Sequence, residues 1–503
     1  MKNFYIKVAL LFIKKGLQIF LFYLIFIPCL EASNSNPKEF KENNPKDSST
    51  KVTSIKVNNL KNLLLERNKS IKSLRSKIKQ SESNYKSKIG LLYPRLYLNS
   101  NDLPRYINGN DYSNSGNDTS TNKLSLGFNA NLDWGIIKPS RKLEIKIAEE
   151  ELTNAKYLLN SKINDIYLES IKLFYKIQAT YQEISLAKKS IEISELALLE
   201  SQEKYKAGIG NKIEVLEANT QLDRDQIKKV KKIGELNKTK NSLYLLLDSE
   251  KDFIVEEDKN FLINFIWDIN LEKSLLEAYK NRNDLKIKKK DISISNKKSR
   301  SIRSEKQPEF TLYNQYSLSK SWGENDVRRD PSFDTQNKKN SNSIGVKFTW
   351  NLFDGGIIKQ RYISQFNRTN ELKNEYELSK NQIKNKLIDS FLDLEISKKN
   401  IIYSYNQLNS AKETLTISLK RLNAGLTTQR EIVNIQADLS EAESNYINSI
   451  LNYNLTLAEL ERLTLVEKKD ICDLKYKKEE NINNSFYKFI IKNNLNIPCE
   501  SIS

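Results

Sequence analysis

The residues best equipped for chemistry in this sequence are its carboxylates and lysines, because histidine is absent altogether. That absence removes the usual general base and the commonest metal ligand. Carboxylates are abundant, but no pair is set in the apolar frame that an acid/base couple needs. The segment Gly208-Ile209-Gly210-Asn211-Lys212 offers glycines and a lysine. It lacks phosphate-loop spacing, however, and falls in a turn between predicted helices rather than after a strand. Cys472 and Cys499 come without a metal-ligand set. The most regularly placed acids are Glu214, Glu217 and Glu431, just past two glycine turns at the start of predicted helices. Acids there oppose the helix dipole whatever else they do. No catalytic residue, cofactor or metal site is expected, which leaves the chemistry of charged and apolar surfaces.

Two stretches must position those surfaces. In 343–356, Ile344, Val346, Phe348, Trp350 and Leu352 alternate with Gly345, Lys347, Thr349 and Asn351. In 124–134, Leu124, Leu126, Phe128, Ala130, Leu132 and Trp134 alternate with small or polar residues in the same way. Strict period two makes one face of a strand apolar and the other wet. Both runs are close to the roughly 9–11 residues of a bilayer-crossing strand. One such run alone fits a half-buried strand of a soluble sheet; two near-copies, each running through glycine into a very long helical pattern, fit a membrane barrel.

Residues 1–32 resemble a secretory signal, with Lys2, Lys7, Lys14 and Lys15 before an apolar run from Leu17 to Ile27 and Ala32 at the cleavage position. The alternative is a retained anchor. Pro28 before Cys29 fits poorly with a lipidation site. Residues 33–54 read as a flexible leader rich in Asn, Lys and Ser. A helix is predicted over about 55–92, then a hairpin over 94–134 with a polar loop at 104–122. One long helix follows from about 136 to 206, with Pro139 in its first turn. Gly208 and Gly210 break it, and a shorter helix runs to 247. After a connector at 248–269 the order repeats over 270–466: a helix from about 271 to 306, a hairpin over 308–353 with a polar loop at 320–342, a helix to 423, Gly425, and a return helix. Residues 467–503 form a tail. In an oxidising compartment Cys472 and Cys499 could staple it. Ala207-Gly208-Ile209 matches Ala424-Gly425-Leu426, and Glu214-Val215-Leu216 matches Glu431-Ile432-Val433 at the same spacing.

Each long helix is about twice the length of its neighbours, so two short helices stacked end to end would lie beside one long one. Leu387, Leu394, Ile401, Leu408, Leu415 and Leu422 fall every seventh residue, with Ser390, Ser397, Ser404, Ala411 and Ser418 three places on. The return helix carries Ile432, Leu439, Tyr446, Tyr453 and Leu460 in the same period. That is a left-handed coiled-coil seam.

In this order of elements, in the Asn281-Arg282-Asn283-Asp284-Leu285 segment and in the tips Tyr205–Ile209 and Leu422–Leu426, the chain resembles the TolC-like outer-membrane efflux proteins over about 55–465. The family usually has proline where Asp284 stands. The resemblance implies a mainly α fold with a small membrane β-barrel: a homotrimer whose α-barrel continues a 12-stranded β-barrel, in the outer membrane and reaching into the periplasm. It implies docking of a periplasmic adaptor protein at Gly208, Ile209, Gly425 and Leu426, with an inner-membrane transporter as a further partner. It also implies a periplasmic gate at Glu214, Glu217 and Glu431, where Asn434 takes the place of the family's second acid. Phe128, Trp134, Phe348 and Trp350 would face lipid, with Lys347 and Asn351 towards the lumen.

A passive exit duct is therefore the expected function, without enzymatic activity. A coiled-coil tether or adhesin spanning the periplasm is the alternative, and amphipathic hairpins are what a tether does not need. A periplasmic adaptor would need glycine- and valine-rich β-domains that the sequence lacks. The net charge is +19, and +16 once residues 1–32, with four lysines and one glutamate, are removed. It is spread along the chain rather than gathered in a stripe with aromatics, which excludes a nucleic-acid partner and hints at anionic cargo.

Overall fold

The computed structural model describes residues 53–55, 57–112, 119–248, 253–255, 261, 263, 265–327, 337–471, 485–493 and 495. The expected signal segment, most of the leader and all three cysteines lie outside them.

The architecture is the same set of elements twice. The first set is α1 (Val57–Arg67), α2 (Lys69–Gly90), β2 (Arg95–Asp111), β3 (Thr119–Ile137), α3 (Arg141–Lys206) and α4 (Lys212–Leu247). The second is α5 (Leu271–Asn281), α6 (Asn283–Ser304), β6 (Glu309–Val327), β7 (Asn337–Thr349), α7 (Ile357–Asn423) and α8 (Gln429–Thr464). Short pieces tie the sets together. β1 (Thr53–Ile55) pairs in parallel with β4 (Phe253–Val255), and β5 (Phe265–Ile266) pairs antiparallel with β8 (Lys469–Asp470). The tail helix α9 (Ser485–Lys492) buries Phe486 and Ile490 against the connector and α8, where Phe486 stacks near Tyr453.

α3 and α7 are 66 and 67 residues long and contain neither glycine nor proline. At 1.5 Å per residue each runs about 100 Å. α2 and α4 pack along successive parts of α3, with α1 at their join; α6, α5 and α8 do the same along α7. The heptad leucines form the α7–α8 seam: Leu387, Leu394 and Ile401 share one buried cluster with Tyr453 and Leu460, and Leu408, Ile432, Ser390, Ser397 and Ser404 are buried as well. The Ser404 and Ser449 hydroxyls meet across it at 2.9 Å. Burial of each such leucine is worth about 1.5–3 kcal/mol.

Three expectations change. The helices expected over 55–92 and 271–306 are each broken once, at Asn68 and at Arg282. Both residues leave the helical region, with ψ 123. Asn68 is a cap: its Oδ1 accepts from the Ile71 N–H at 3.1 Å. The long helix expected from 136 starts at Arg141, because β3 continues through Ile137 and Pro139 lies in the turn ahead of it. The polar loops expected at 104–122 and 320–342 are largely strand: β2 and β3 continue to Asp111 and from Thr119, β6 and β7 to Val327 and from Asn337. A ladder wet on both faces has no hydropathy period to betray it.

The two breaks share a task. The Asn68 side-chain amide donates to the Leu246 carbonyl at 2.7 Å, and the Arg282 guanidinium donates to the Leu463 carbonyl at 3.4 Å. Leu246 and Leu463 are equivalent residues at the ends of α4 and α8, just before Asp248 and Leu465 take left-handed backbone with φ 51 and 58. Helix ends expose unpaired carbonyls, and a donor from the facing break covers one. Arg282 also grips Asp284 with two hydrogen bonds, at 3.0 and 2.5 Å. Burial pushes the Asp284 carboxyl up, but the hydrogen bond and charge of Arg282 outweigh it and hold the group below its usual range. A depressed carboxylate contributes stability that is complete above its unfolded value of about 3.9 and lost as pH falls through the lower folded value. Arg282→Ala is therefore expected to cost about 1–3 kcal/mol at neutral pH, a gap that narrows on acidification below about pH 4. Thermal unfolding of both proteins at pH 7 and pH 3 measures this, and an equal gap at both would remove Asp284 from the joint.

Candidate functional site

Two regions carry the expected site residues: the sheet at one end of the long helices and the tips at the other. The sheet is four-stranded and antiparallel, in the order β2-β3-β6-β7, so β2 and β7 are its open edges. Its register brings like residues together. Leu96 stands opposite Leu132 and Leu98 opposite Ala130. Trp134 stands opposite Leu312 and Phe128 opposite Leu318. Phe310 stands opposite Phe348 and Leu312 opposite Val346. Directly opposed residues share a face, so one face collects these side chains across all four strands. The other face collects Tyr97, Asn99, Asn129, Asn131, Asp133, Thr311, Tyr313, Gln315 and Lys347. There the Tyr97 hydroxyl donates to Asp133 at 3.0 Å, and the Asn131 amide donates to Asn99 at 2.6 Å. The Tyr313 ring lies across Gly345, within 2.9–3.1 Å of where a β-carbon would sit, so a larger residue there would have to displace the ring.

The aromatic residues singled out in the sequence divide between two levels of this sheet. Phe128 is in the body of the apolar face. Trp134 and Trp350 are at its foot, where their indole N–H groups donate to the Leu92 and Lys306 carbonyls, each at 3.0 Å. Those carbonyls belong to the turns that end α2 and α6, so each tryptophan ties strand to helix. Phe348 packs against both Phe310 and Trp350, with ring centroids 5.1 and 6.4 Å apart. Phe348, opposite Phe310, stands at the edge of the apolar face, and Phe128, opposite Leu318, occupies its middle. Asn351 lies beyond the end of β7.

At the tips, the backbone takes the same course twice. Gly208 and Gly425 have φ 77 and 72. The Gly208 and Ile209 N–H groups donate to the Tyr205 and Lys204 carbonyls, both at 3.1 Å; those of Gly425 and Leu426 donate to Leu422 and Arg421, both at 2.9 Å. This is the Schellman stop, which needs the left-handed conformation that glycine supplies. In that motif the residue after glycine usually packs on the third-last helical residue. Here that partner is Lys204 or Arg421, so the apolar side chains stay out: Ile209 is 80% and Leu426 68% exposed.

The return helices start on caps. Asn211 Oδ1 accepts from the Ile213 N–H at 3.0 Å, and Thr428 Oγ1 from the Glu431 N–H at 3.3 Å. Glu214 and Glu431 are equivalent, exposed and in the first turn. The Glu431 carboxylate accepts from the Thr427 hydroxyl. Glu217 is different, since Arg430 of the second repeat approaches it at 3.5 Å. Arg430 escaped the sequence reading. Aligning the repeats would have flagged it, because Ile213 occupies the equivalent place. Arg282, quoted there only as part of a motif, and Asn68 were missed as joint residues for want of any local signal. Among the described residues no cluster of three or more potential metal ligands exists, and no helix is long and apolar enough to cross a membrane.

The profile of the outer membrane efflux protein family matches residues 60–249 and again 275–464, once for each set of elements. Among curated proteins, none matches the chain by sequence. Solved structures match it in fold. A membrane protein from Pseudomonas aeruginosa has a TM-score of 0.69 at 15% identity, covering 82% of this chain and 91% of that one. The outer membrane protein VceC from Vibrio cholerae has a TM-score of 0.67 at 15% identity, covering 81% and 96%. The CmeC outer membrane channel from Campylobacter jejuni has a TM-score of 0.65 at 15% identity, covering 81% and 85%.

Proposed function

The chain belongs to the outer membrane efflux protein family, and we propose that it is the passive exit duct of a tripartite efflux pump or a type I secretion system, working as a homotrimer. The observation that carries this is the sheet. It has one apolar face, one polar face and two open edges. A bilayer tolerates no unpaired strand edge, so a spanning sheet must close on itself. Four strands are too few for that, whereas three copies supply twelve, an even number within the range of outer-membrane barrels. The apolar face then meets lipid and the polar face lines the passage. Trp134 and Trp350 fit the aromatic belt at the inner interface. The tips lie at the periplasmic end, where the exposed Ile209 and Leu426 meet the adaptor protein, and the inner-membrane transporter delivers cargo through it.

Three expected outcomes follow from this reading. In planar bilayers the purified protein gives stepwise conductance, and multivalent cations added on the periplasmic side block it. Three-fold symmetry makes each tip glutamate a ring of three carboxylates, which attracts such cations. Glu431→Ala weakens the block more than Glu217→Ala does, since Glu217 already faces Arg430; an unchanged block in both variants would leave these acids as helix-start residues.

Leu426→Asp or Ile209→Asp leaves the trimer intact on native electrophoresis and abolishes export in cells. Normal export by either variant would remove the tips from docking.

Phe128→Arg, in the middle of the apolar face and opposite Leu318, costs about 2–4 kcal/mol of assembly, and Phe348→Arg at its edge about 0–1 kcal/mol. Lys347→Ala costs nothing measurable. Refolding into vesicles ranks the three, and a larger loss at Lys347 than at Phe128 would assign the faces the other way.

A further inference from the structure

The apolar face of the sheet ends in a cationic patch. Along β6, Lys320 and Trp322 continue the face that holds Leu312 and Leu318, two residues at a time. Lys320 stands opposite Leu126 on one side and Lys338 on the other. Trp322 stands opposite Leu124, and the Lys320 ammonium lies over its ring, 4.7 Å from the centroid. On β7 the same face turns polar earlier, through Asn342 and Asn340, before reaching Lys338.

Two lysines directly opposed across a ladder repel, at a cost that water only partly relieves. Neither has a carboxylate partner among the described residues. An anion between them would turn that repulsion into attraction. The position of the pair says where the anion comes from. Lys320 is eight residues along β6 from Leu312, which stands opposite the junction residue Trp134. At about 3.4 Å per residue that is about 27 Å along the strand, or about 20 Å of height at the tilt of barrel strands. An outer-membrane barrel shows an apolar band of about 25 Å between its two interfaces. With Trp134 at the inner interface, the Lys320 and Lys338 backbone stands about 5 Å inside the outer edge of that band, a distance the lysine side chains span by snorkelling to the outer-leaflet headgroups, and Trp322 supplies the aromatic residue common there.

We propose that Lys320, Lys338 and Asn340, with Trp322 beside them, form a site for the phosphate of an anionic lipid headgroup in the outer leaflet. The two ammonium groups bracket the phosphate, the amide donates a third hydrogen bond, and the acyl chains run down over Leu318 and Phe128. The site occurs three times around the trimer and holds the barrel at a fixed height. It rests on the reading that this face meets lipid.

The test compares the full chain with two double variants that lose equal charge. K320Q/K338Q removes the proposed site. K123Q/K339Q removes lysines of the opposite face, since Lys123 stands opposite Gly323 and Lys339 opposite Ser319. Each trimer is reconstituted in phosphatidylcholine alone or mixed with phosphatidylglycerol, and its thermal midpoint is measured. A ligand that binds only the folded state raises the midpoint. The expected result is a rise in the anionic mixture for the unaltered chain and for K123Q/K339Q, lost in K320Q/K338Q. A rise that survives in both double variants, or no rise in the unaltered chain, overturns the site while leaving the lipid-facing assignment standing. A rise lost only in K123Q/K339Q overturns that assignment as well. Inorganic phosphate added to the phosphatidylcholine sample must not reproduce the rise; if it does, a free anion rather than a lipid is the occupant.

Discussion

Everything in this chain answers to the unpaired edges of one four-stranded sheet. β2 and β7 each present a row of N–H and C=O groups that no strand among the described residues covers. In water such an edge invites aggregation; in lipid each uncovered group costs several kcal/mol. The sheet is therefore incomplete as a folding unit, and its completion must come from other copies. That requirement makes the helices part of the barrel's stability. Long helices run from the foot of the sheet, at an angle set where strand and helix join. Trp134 and Trp350 fix that angle locally, because each bonds a strand's end to the last turn of the preceding helix. A tryptophan there serves the joint through its N–H, and on the proposed reading its ring also meets the membrane interface.

The second joint, at the middle of the long helices, solves the same problem with different residues. A helix of about 100 Å has no partner of its own length, so two shorter ones must meet beside it. Where they meet, the end of α4 or α8 leaves carbonyls bare. Asn68 covers one with an amide and Arg282 covers its equivalent with a guanidinium. The cation is the better complement to a helix C-terminus, but burying it requires Asp284. The largest apolar cluster gathers at this level, drawing in Leu60, Ile177, Leu243, Leu387 and Tyr453 together with Ile263 and Ile266 of the connector and Phe486 of α9. Connector and tail thus pack where the helix ends would otherwise be exposed.

How much of this was legible follows from how locally each feature is encoded. The alternation in 124–134 and 344–352 was readable, because the face pattern of a strand lies within the strand itself. The long helices were readable from the absence of breakers and the heptads of 387–422, and their stops from Gly208 and Gly425. The breaks at Asn68 and Arg282 were not, since a one-residue interruption is specified by the carbonyl it caps, far away in sequence. The upper halves of the hairpins were hidden because Ser, Asn and Lys on both faces leave no period. The level of Phe348 was hidden too, because depth depends on the register with β6 and not on the run of residues in β7. Pairing of Glu217 with Arg430 links two repeats, and only their alignment could suggest it.

The two helical hairpins are equal in length yet held differently. In the first, Lys232 donates to the buried Glu183 carboxylate at 2.5 Å, and the Ser194 hydroxyl donates to the buried Asp225 at 2.6 Å. In the second, the places of Lys232 and Asp225 are taken by Ser449 and Ala442, and the α7 side of the seam is a Leu or Ile and a Ser or Ala at every heptad. A slide of one heptad along α7 would set a small residue where a small residue was. The same slide along α3 would strand Glu183 from Lys232, and a buried charge without its partner is among the costliest defects a core can carry. Register in the first hairpin is therefore fixed by specific partners, while in the second it is fixed by shape and by the glycine stop at Gly425. The tip glutamates inherit that difference. Glu217 is held by Arg430 on a hairpin whose register is pinned, whereas Glu431 stands on the seam that charge does not lock.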